Sequence, residues 1–197
     1  VWVLDQVLAG LESASTKNII HLDVKPENVV LDGPDNIRVI DWGISRLHEA
    51  GKATSTVVPG GTEWFASPEQ VGDSPFDVTG ASTLYSVGAL AYWLLTGMPP
   101  MRREAGDVGS DITRVRRLME AGVRPERADR IVPVVPARLG ELVDRWLSRS
   151  PRDRIPEGLP PVEALTWARR ALTEAARGLP DAEVGHQEHP AATSGRS

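Results

Sequence analysis

Apolar residues fall into two rhythms along this chain, and the rhythms mark its elements. Val3, Leu4, Val7, Leu8 and Leu11 recur at helical spacing, which predicts an amphipathic helix over residues 1 to about 16. Ile19 to Leu22 is a short apolar stretch. Val29-Val30-Leu31 and Ile37 to Ile40 are β-rich runs on either side of Asp32-Gly33-Pro34-Asp35-Asn36, the pattern of a hairpin with a strong turn signal. Residues 44 to 62 are polar and turn-rich, and predict a long loop of the kind that is usually functional or mobile. From Ser82 the helical period returns, through the apolar run Leu84 to Leu95, and stops at Gly97-Met98-Pro99-Pro100. Asp111 to Gly122 predicts a short amphipathic helix with Ile112, Val115, Leu118 and Met119 on one side. Leu139, Leu142, Val143, Trp146 and Leu147 predict another, ended by Ser150-Pro151. Val162 to Leu179 predicts the last, with Leu165, Ala168 and Leu172 inward. The expected fold class is α+β, mainly α: one small β-hairpin and one long loop among about five helices, over residues 1–178. Residues 179–197 are small and polar and read as a disordered tail.

Composition narrows the class. The 197 residues are 41% hydrophobic and 25% charged, which is ordinary for a soluble globular domain and excludes a wholly disordered chain. There is no cysteine, so a disulfide scaffold, a thiol nucleophile and a cysteine zinc site are excluded. With 27 acidic against 22 basic residues the formal charge is −5, which argues against a domain that grips nucleic-acid phosphates. The apolar run at 84–95 is too short to cross a bilayer, which takes about 20 residues. Val1 to Gly10 carries Asp5 and shows no basic leader and no small-residue cleavage site. The expectation is a cytoplasmic chain with no membrane segment.

The residues that carry chemistry cluster early. His21-Leu22-Asp23-Val24-Lys25-Pro26-Glu27-Asn28 is followed, across the hairpin, by Asp41-Trp42-Gly43. Gly61-Thr62-Glu63-Trp64-Phe65-Ala66-Ser67-Pro68-Glu69-Gln70 comes next, then Leu84-Tyr85-Ser86-Val87-Gly88 running to Leu95-Thr96-Gly97, then Ser150-Pro151-Arg152-Asp153-Arg154. Asp23 and Asn28 precede the expected hairpin and Asp41 follows it. Hard oxygen ligands of that kind suit Mg²⁺, and phosphoryl transfer needs little else than positioning and charge neutralisation.

This series resembles the protein kinase family, whose catalytic loop reads H-R-D-x-K-x-x-N and whose metal motif reads D-F-G. The resemblance covers residues 1 to about 178. It implies a kinase-like fold, here the helical C-terminal lobe with its β-hairpin, and a serine/threonine kinase that moves the γ-phosphoryl of ATP to a protein substrate with Mg²⁺. By resemblance Asp23 and Lys25 are catalytic, the first as base and the second as electrostatic stabiliser. Lys25, Glu27, Asn28 and Asp41 bind the nucleotide, and Asn28 and Asp41 hold the metal. Arg154 pairs with Glu69 to tether the activation segment. Lys25 is the residue that serine/threonine kinases carry at this place. His21 reads as a packed residue that fixes the loop, not as a base. Thr62 matches a threonine that contacts the catalytic Asp and Lys. Thr54, Ser55 and Thr56 read as phosphorylation sites or as a solvated loop. Arg114, Arg116, Arg117 and Arg124 read as a solvated face, and His186 and His189 as tail residues without a metal role.

Departures from the family pattern carry expectations of their own. Leu22 stands where most kinases have the arginine that clamps a loop phosphate, so a phosphate on Thr54, Ser55 or Thr56 is not expected to switch activity on. Trp42 replaces the usual Phe. Thr83 stands where the family has an aspartate that accepts hydrogen bonds from the catalytic-loop backbone, with Asp77 close by in the wrong register. The sequence contains no G-x-G-x-x-G loop, no V-A-I-K-type lysine and no partner glutamate. The expectation is weak ATP binding by this chain alone, and an apolar cleft face that would meet an N-terminal lobe or a partner. Two rivals stand beside the kinase reading: a pseudokinase or scaffold, and a small-molecule phosphotransferase of the aminoglycoside-kinase type.

Overall fold

The computed structural model describes residues 1–42, 46–47, 64–71, 78–105 and 112–177. Helix α1 (Trp2–Ser15) leads through strand β1 (Ile19–Ile20) and a 3₁₀ turn (Pro26–Asn28) into β2 (Val29–Leu31) and β3 (Ile37–Val39), with β4 at Arg46–Leu47. Then come α2 (Pro68–Val71), α3 (Gly80–Thr96), α4 (Arg102–Ala105), α5 (Ile112–Glu120), α6 (Ala128–Ile131), α7 (Ala137–Trp146) and α8 (Ala164–Ala175). Two small antiparallel sheets are present. One pairs β2 with β3 in the register Val29↔Val39 and Leu31↔Ile37, and the other pairs β1 with β4. The second pair lies partly within the stretch expected to be a continuous loop. A two-residue strand has no period to read, so only its tertiary partner defines it.

Helix α3 is the centre. Every residue from Ala81 to Tyr92 is buried, as expected of a helix that is apolar on all sides. It begins two residues before Ser82, where the helical period starts, because Thr79 and Ser82 form a reciprocal cap. The Ala81 N–H donates to Thr79 Oγ1 at 3.2 Å, and the Thr79 N–H donates to Ser82 Oγ at 3.0 Å. It ends at Gly97, whose φ of 77° is the left-handed conformation that glycine adopts without strain. Around it pack α1, α6, α7, α8 and the 3₁₀ turn Pro151–Arg154. Helix α1 contributes Leu4, Val7, Leu8 and Leu11, and α7 contributes Leu139, Leu142, Val143 and Trp146. Asp5 and Glu12 of α1 hold α8 through Arg169 and Thr166, at 2.7 and 2.6 Å.

The architecture is mainly α, with the hairpin set on one edge of the helical body. Residues 21–28 lie between that hairpin and the start of α3. Among the described residues no helix is long and apolar enough to cross a membrane. Gly43, Thr54, Ser55, Thr56, Gly61, Thr62, Glu63, Asp77, His186, His189 and residues 179–197, named above, lie outside the described residues.

Candidate active site

The segment His21–Asn28 is held by side-chain hydrogen bonds, since it belongs mostly to neither helix nor strand. His21 is buried. The backbone N–H of Asp23 donates to its Nδ1 at 3.1 Å, so the proton sits on Nε2, which faces the Ile40 carbonyl at 3.2 Å. The ring thus ties the loop to the end of β3. Burial lowers its pKa, against the opposing pull of the Ile40 carbonyl and of the Asp23 and Asp41 charges. Trp42 stacks obliquely on that ring, with centroids 4.4 Å apart, and its indole N–H donates to the Val39 carbonyl at 2.9 Å.

Asp23 is 4% exposed. Its Oδ2 accepts from Asn28 Nδ2 at 2.9 Å and lies 2.9 Å from Lys25 Nζ. Its Oδ1 is buried and has no hydrogen-bond partner among the described residues. Leaving such an oxygen bare is costly unless something else comes to it. Asn28 spends its amide donor on two Asp23 oxygens, the carboxylate and the backbone carbonyl at 2.7 Å. That fixes the amide and turns Asn28 Oδ1 away from Asp23. The 3₁₀ turn Pro26–Asn28 delivers this side chain, with proline at its start.

The hairpin brings Asp41 round to the same place. One ladder bond beyond the last β2–β3 pair, the Ile40 N–H donates to the Asn28 carbonyl at 2.9 Å. The next residue, Asp41, takes a left-handed φ of 59°, a sparsely used conformation for a residue other than glycine. Its carboxylate is exposed. Asn28 Oδ1 and the Asp41 carboxylate are hard oxygens, the donor type that a divalent cation such as Mg²⁺ takes. Among the described residues no three His, Asp or Glu side chains form a metal site by themselves. Glu27 sits mid-turn with its side chain exposed.

Two anchors lie behind the loop. Thr83 does the reverse of what its place in the sequence suggests: its hydroxyl donates to the His21 carbonyl at 3.0 Å. An aspartate cannot donate there, and a threonine can. Farther back, Arg154 and Glu69 form a fully buried bidentate pair at 2.5 and 2.8 Å. The remaining Arg154 donors go to the carbonyls of Ser148, Ala81 and Arg149, so this charge is completely satisfied. Sequence reasoning named that pair. It gave Gln70 no task, although Gln70 Nε2 reaches the Leu22 carbonyl at 2.8 Å. The two lie 48 positions apart, and no local pattern reports such a contact.

Comparison with known proteins bears on the family of the chain. The family model described as protein kinase domain matches residues 2–163. The serine/threonine-protein kinase PknL of Mycobacterium tuberculosis is 38% identical over 159 residues, which is 81% of this chain and 38% of that kinase. Serine/threonine-protein kinase pkn3 of Myxococcus xanthus is 34% identical over 78% of this chain and 28% of its own length. For AfsK of Streptomyces coelicolor the figures are 35%, 71% and 19%. The chain thus spans well under half the length of these relatives. A kinase-domain match over most of the sequence, on a mainly helical body with one small hairpin, establishes that the chain belongs to the protein kinase domain family.

Proposed function

We propose that this chain carries the catalytic loop and metal ligands of a protein serine/threonine kinase, which transfers the γ-phosphoryl of ATP to a hydroxyl of a protein substrate in the cytoplasm. One observation carries the reading. Asp23 has one carboxylate oxygen held by Asn28 and Lys25, and the other buried and bare. A carboxylate so divided is oriented by its first oxygen and keeps on its second the unused acceptor capacity that a general base needs. Lys25, salt-bridged to the same carboxylate, keeps a positive charge beside the acceptor position, where negative charge develops during transfer. Asn28 and Asp41 would hold Mg²⁺, and the bound ion would neutralise the phosphate oxygens. The rigid hairpin between the two ligands keeps their separation fixed. Glu27, mid-turn between Lys25 and Asn28, belongs to the nucleotide-binding side of this reading.

The test is Asp23→Asn against wild type, each in a protein that also supplies an N-terminal kinase lobe, with radiolabelled Mg-ATP and a generic protein acceptor. Loss of the base is expected to slow transfer by about 10²–10⁴-fold. Transfer that persists unchanged removes Asp23 from its role. If neither protein transfers phosphate, the scaffold reading takes the place of the kinase one.

A further inference from the structure

Three successive peptide units in the loop each have their carbonyl taken by a side chain from elsewhere. Thr83 donates to His21 O, Gln70 to Leu22 O at 2.8 Å, and Asn28 to Asp23 O. The middle unit is the one that matters most. A peptide bond is planar, so the Leu22 carbonyl and the Asp23 N–H move together. That plane is held at both ends: its carbonyl by Gln70, and its N–H by His21 Nδ1 at 3.1 Å. Rotating the plane breaks both bonds and swings the Asp23 side chain.

Gln70 is itself oriented. Its Oε1 accepts from the Ser67 backbone N–H at 3.1 Å and from the Ser67 hydroxyl at 2.9 Å. With its oxygen committed to two donors, the amide can present only its NH₂ to Leu22. Ser67, Gln70 and Leu22 are all buried, so water does not replace the link when it breaks. Gln70 lies in α2 beside Glu69, which the buried Arg154 pair anchors to the helical body. The link therefore runs from a fixed helix to the peptide plane that carries Asp23.

We infer that Gln70 is a positioning residue for Asp23, with its amide set by Ser67, so that the start of α2 and the catalytic loop hold one geometry together. This inference rests on the kinase reading of Asp23, and it predicts an effect on turnover more than on nucleotide affinity. It also predicts graded behaviour. Gln70→Leu removes the donor. Gln70→Glu keeps the shape and the contacts to Ser67 but offers a carboxylate to a carbonyl. Ser67→Ala removes one of the two bonds that orient the amide.

The experiment compares these three variants with wild type, each in a protein that also supplies an N-terminal kinase lobe, in two measurements: steady-state transfer from Mg-ATP, and amide hydrogen exchange of residues 21–25 with α3 as internal reference. In Gln70→Leu and Gln70→Glu kcat is expected to fall about tenfold or more, the scale of a displaced catalytic group, with KM for ATP nearly unchanged. Ser67→Ala should fall between these and wild type. Exchange should rise at residues 21–25 and stay at wild-type levels in α3. Wild-type kcat in both Gln70 variants overturns the inference, as does exchange that rises equally in α3, which marks a merely structural residue. Should the wild-type chain transfer no phosphate, the proposed function fails, and exchange alone decides: unchanged protection at 21–25 then overturns the role of Gln70.

Discussion

At the scale of single residues, substitutions away from a family pattern are repaired by hydrogen bonds that the replacement makes possible. Trp42 is one case. Phe at that place would stack on His21 but could donate nothing, whereas the indole N–H closes onto the Val39 carbonyl at 2.9 Å. That bond spans the residue with left-handed backbone, Asp41, and so holds an unfavourable conformation by a local clasp. Trp42→Phe should keep the ring contact and lose the clasp. The expected cost is about 1 kcal/mol, the usual net worth of one such bond, measured as a lower midpoint in urea with an unchanged slope. A midpoint equal to that of wild type would show that the clasp carries no stability. Thr83 is the second case. Its hydroxyl donates to the loop, at the place where the family's aspartate accepts. Donor and acceptor roles of hydroxyls cannot be read from a residue type, because both are open to them.

At the scale of elements, what was legible depended on length. Helices α1, α3, α5, α7 and α8 span nine or more residues each and announce themselves by period. The hairpin announces itself by its turn residues. Helices α2, α4 and α6 span four residues each, barely one turn, and owe their existence to what they pack on. The last helix begins two positions later than its apolar pattern, after a 3₁₀ turn over Pro161–Glu163 that proline initiates. The loop motif stands out in the sequence because its spacing is short. The anchors behind it, Gln70 and Thr83, come from 48 and 62 positions away, and only the fold brings them in. The Glu69–Arg154 pair joins α2 to the 3₁₀ turn after α7 across 85 positions, with both side chains fully buried. Glu69→Ala would leave Arg154 charged and dry against the Tyr85 ring, 5.0 Å away. Breaking one side of such a pair costs about 3–5 kcal/mol, so the variant should melt far below wild type. A loss of under about 1 kcal/mol would mean that the guanidinium finds other acceptors. Close helix crossing depends equally on Gly88, where a Cβ would fall 2.8 Å from Trp146 Cβ.

At the scale of the molecule, one ionisable ring links the helical body to the hairpin edge. His21 accepts from the loop, faces the strand end, and carries the Thr83 bond on its own carbonyl. Its Nδ1 is occupied as an acceptor, so protonation would put a second N–H against the Asp23 N–H and break the tie. Burial accordingly lowers its pKa below the ordinary value of 6.5. The sign of the linkage follows. Between the lowered native value and 6.5 the unfolded chain binds a proton that the native chain refuses, so stability rises with pH through that window. The contribution is complete above 6.5 and is lost as pH falls through the native value. Asp23 and Asp41 narrow the window by favouring the charged ring, but burial outweighs them. Two measurements check this. The His21 ring proton signals should titrate with a midpoint below 6.5. The melting temperature should fall on acidification from about pH 7.5 to about pH 5.5, above the range where ordinary carboxylates titrate, and fall less steeply in His21→Gln. A His21 midpoint at or above 6.5, or parallel melting curves for the two proteins, would mean that the ring is not the neutral tie on which the loop and the end of β3 depend.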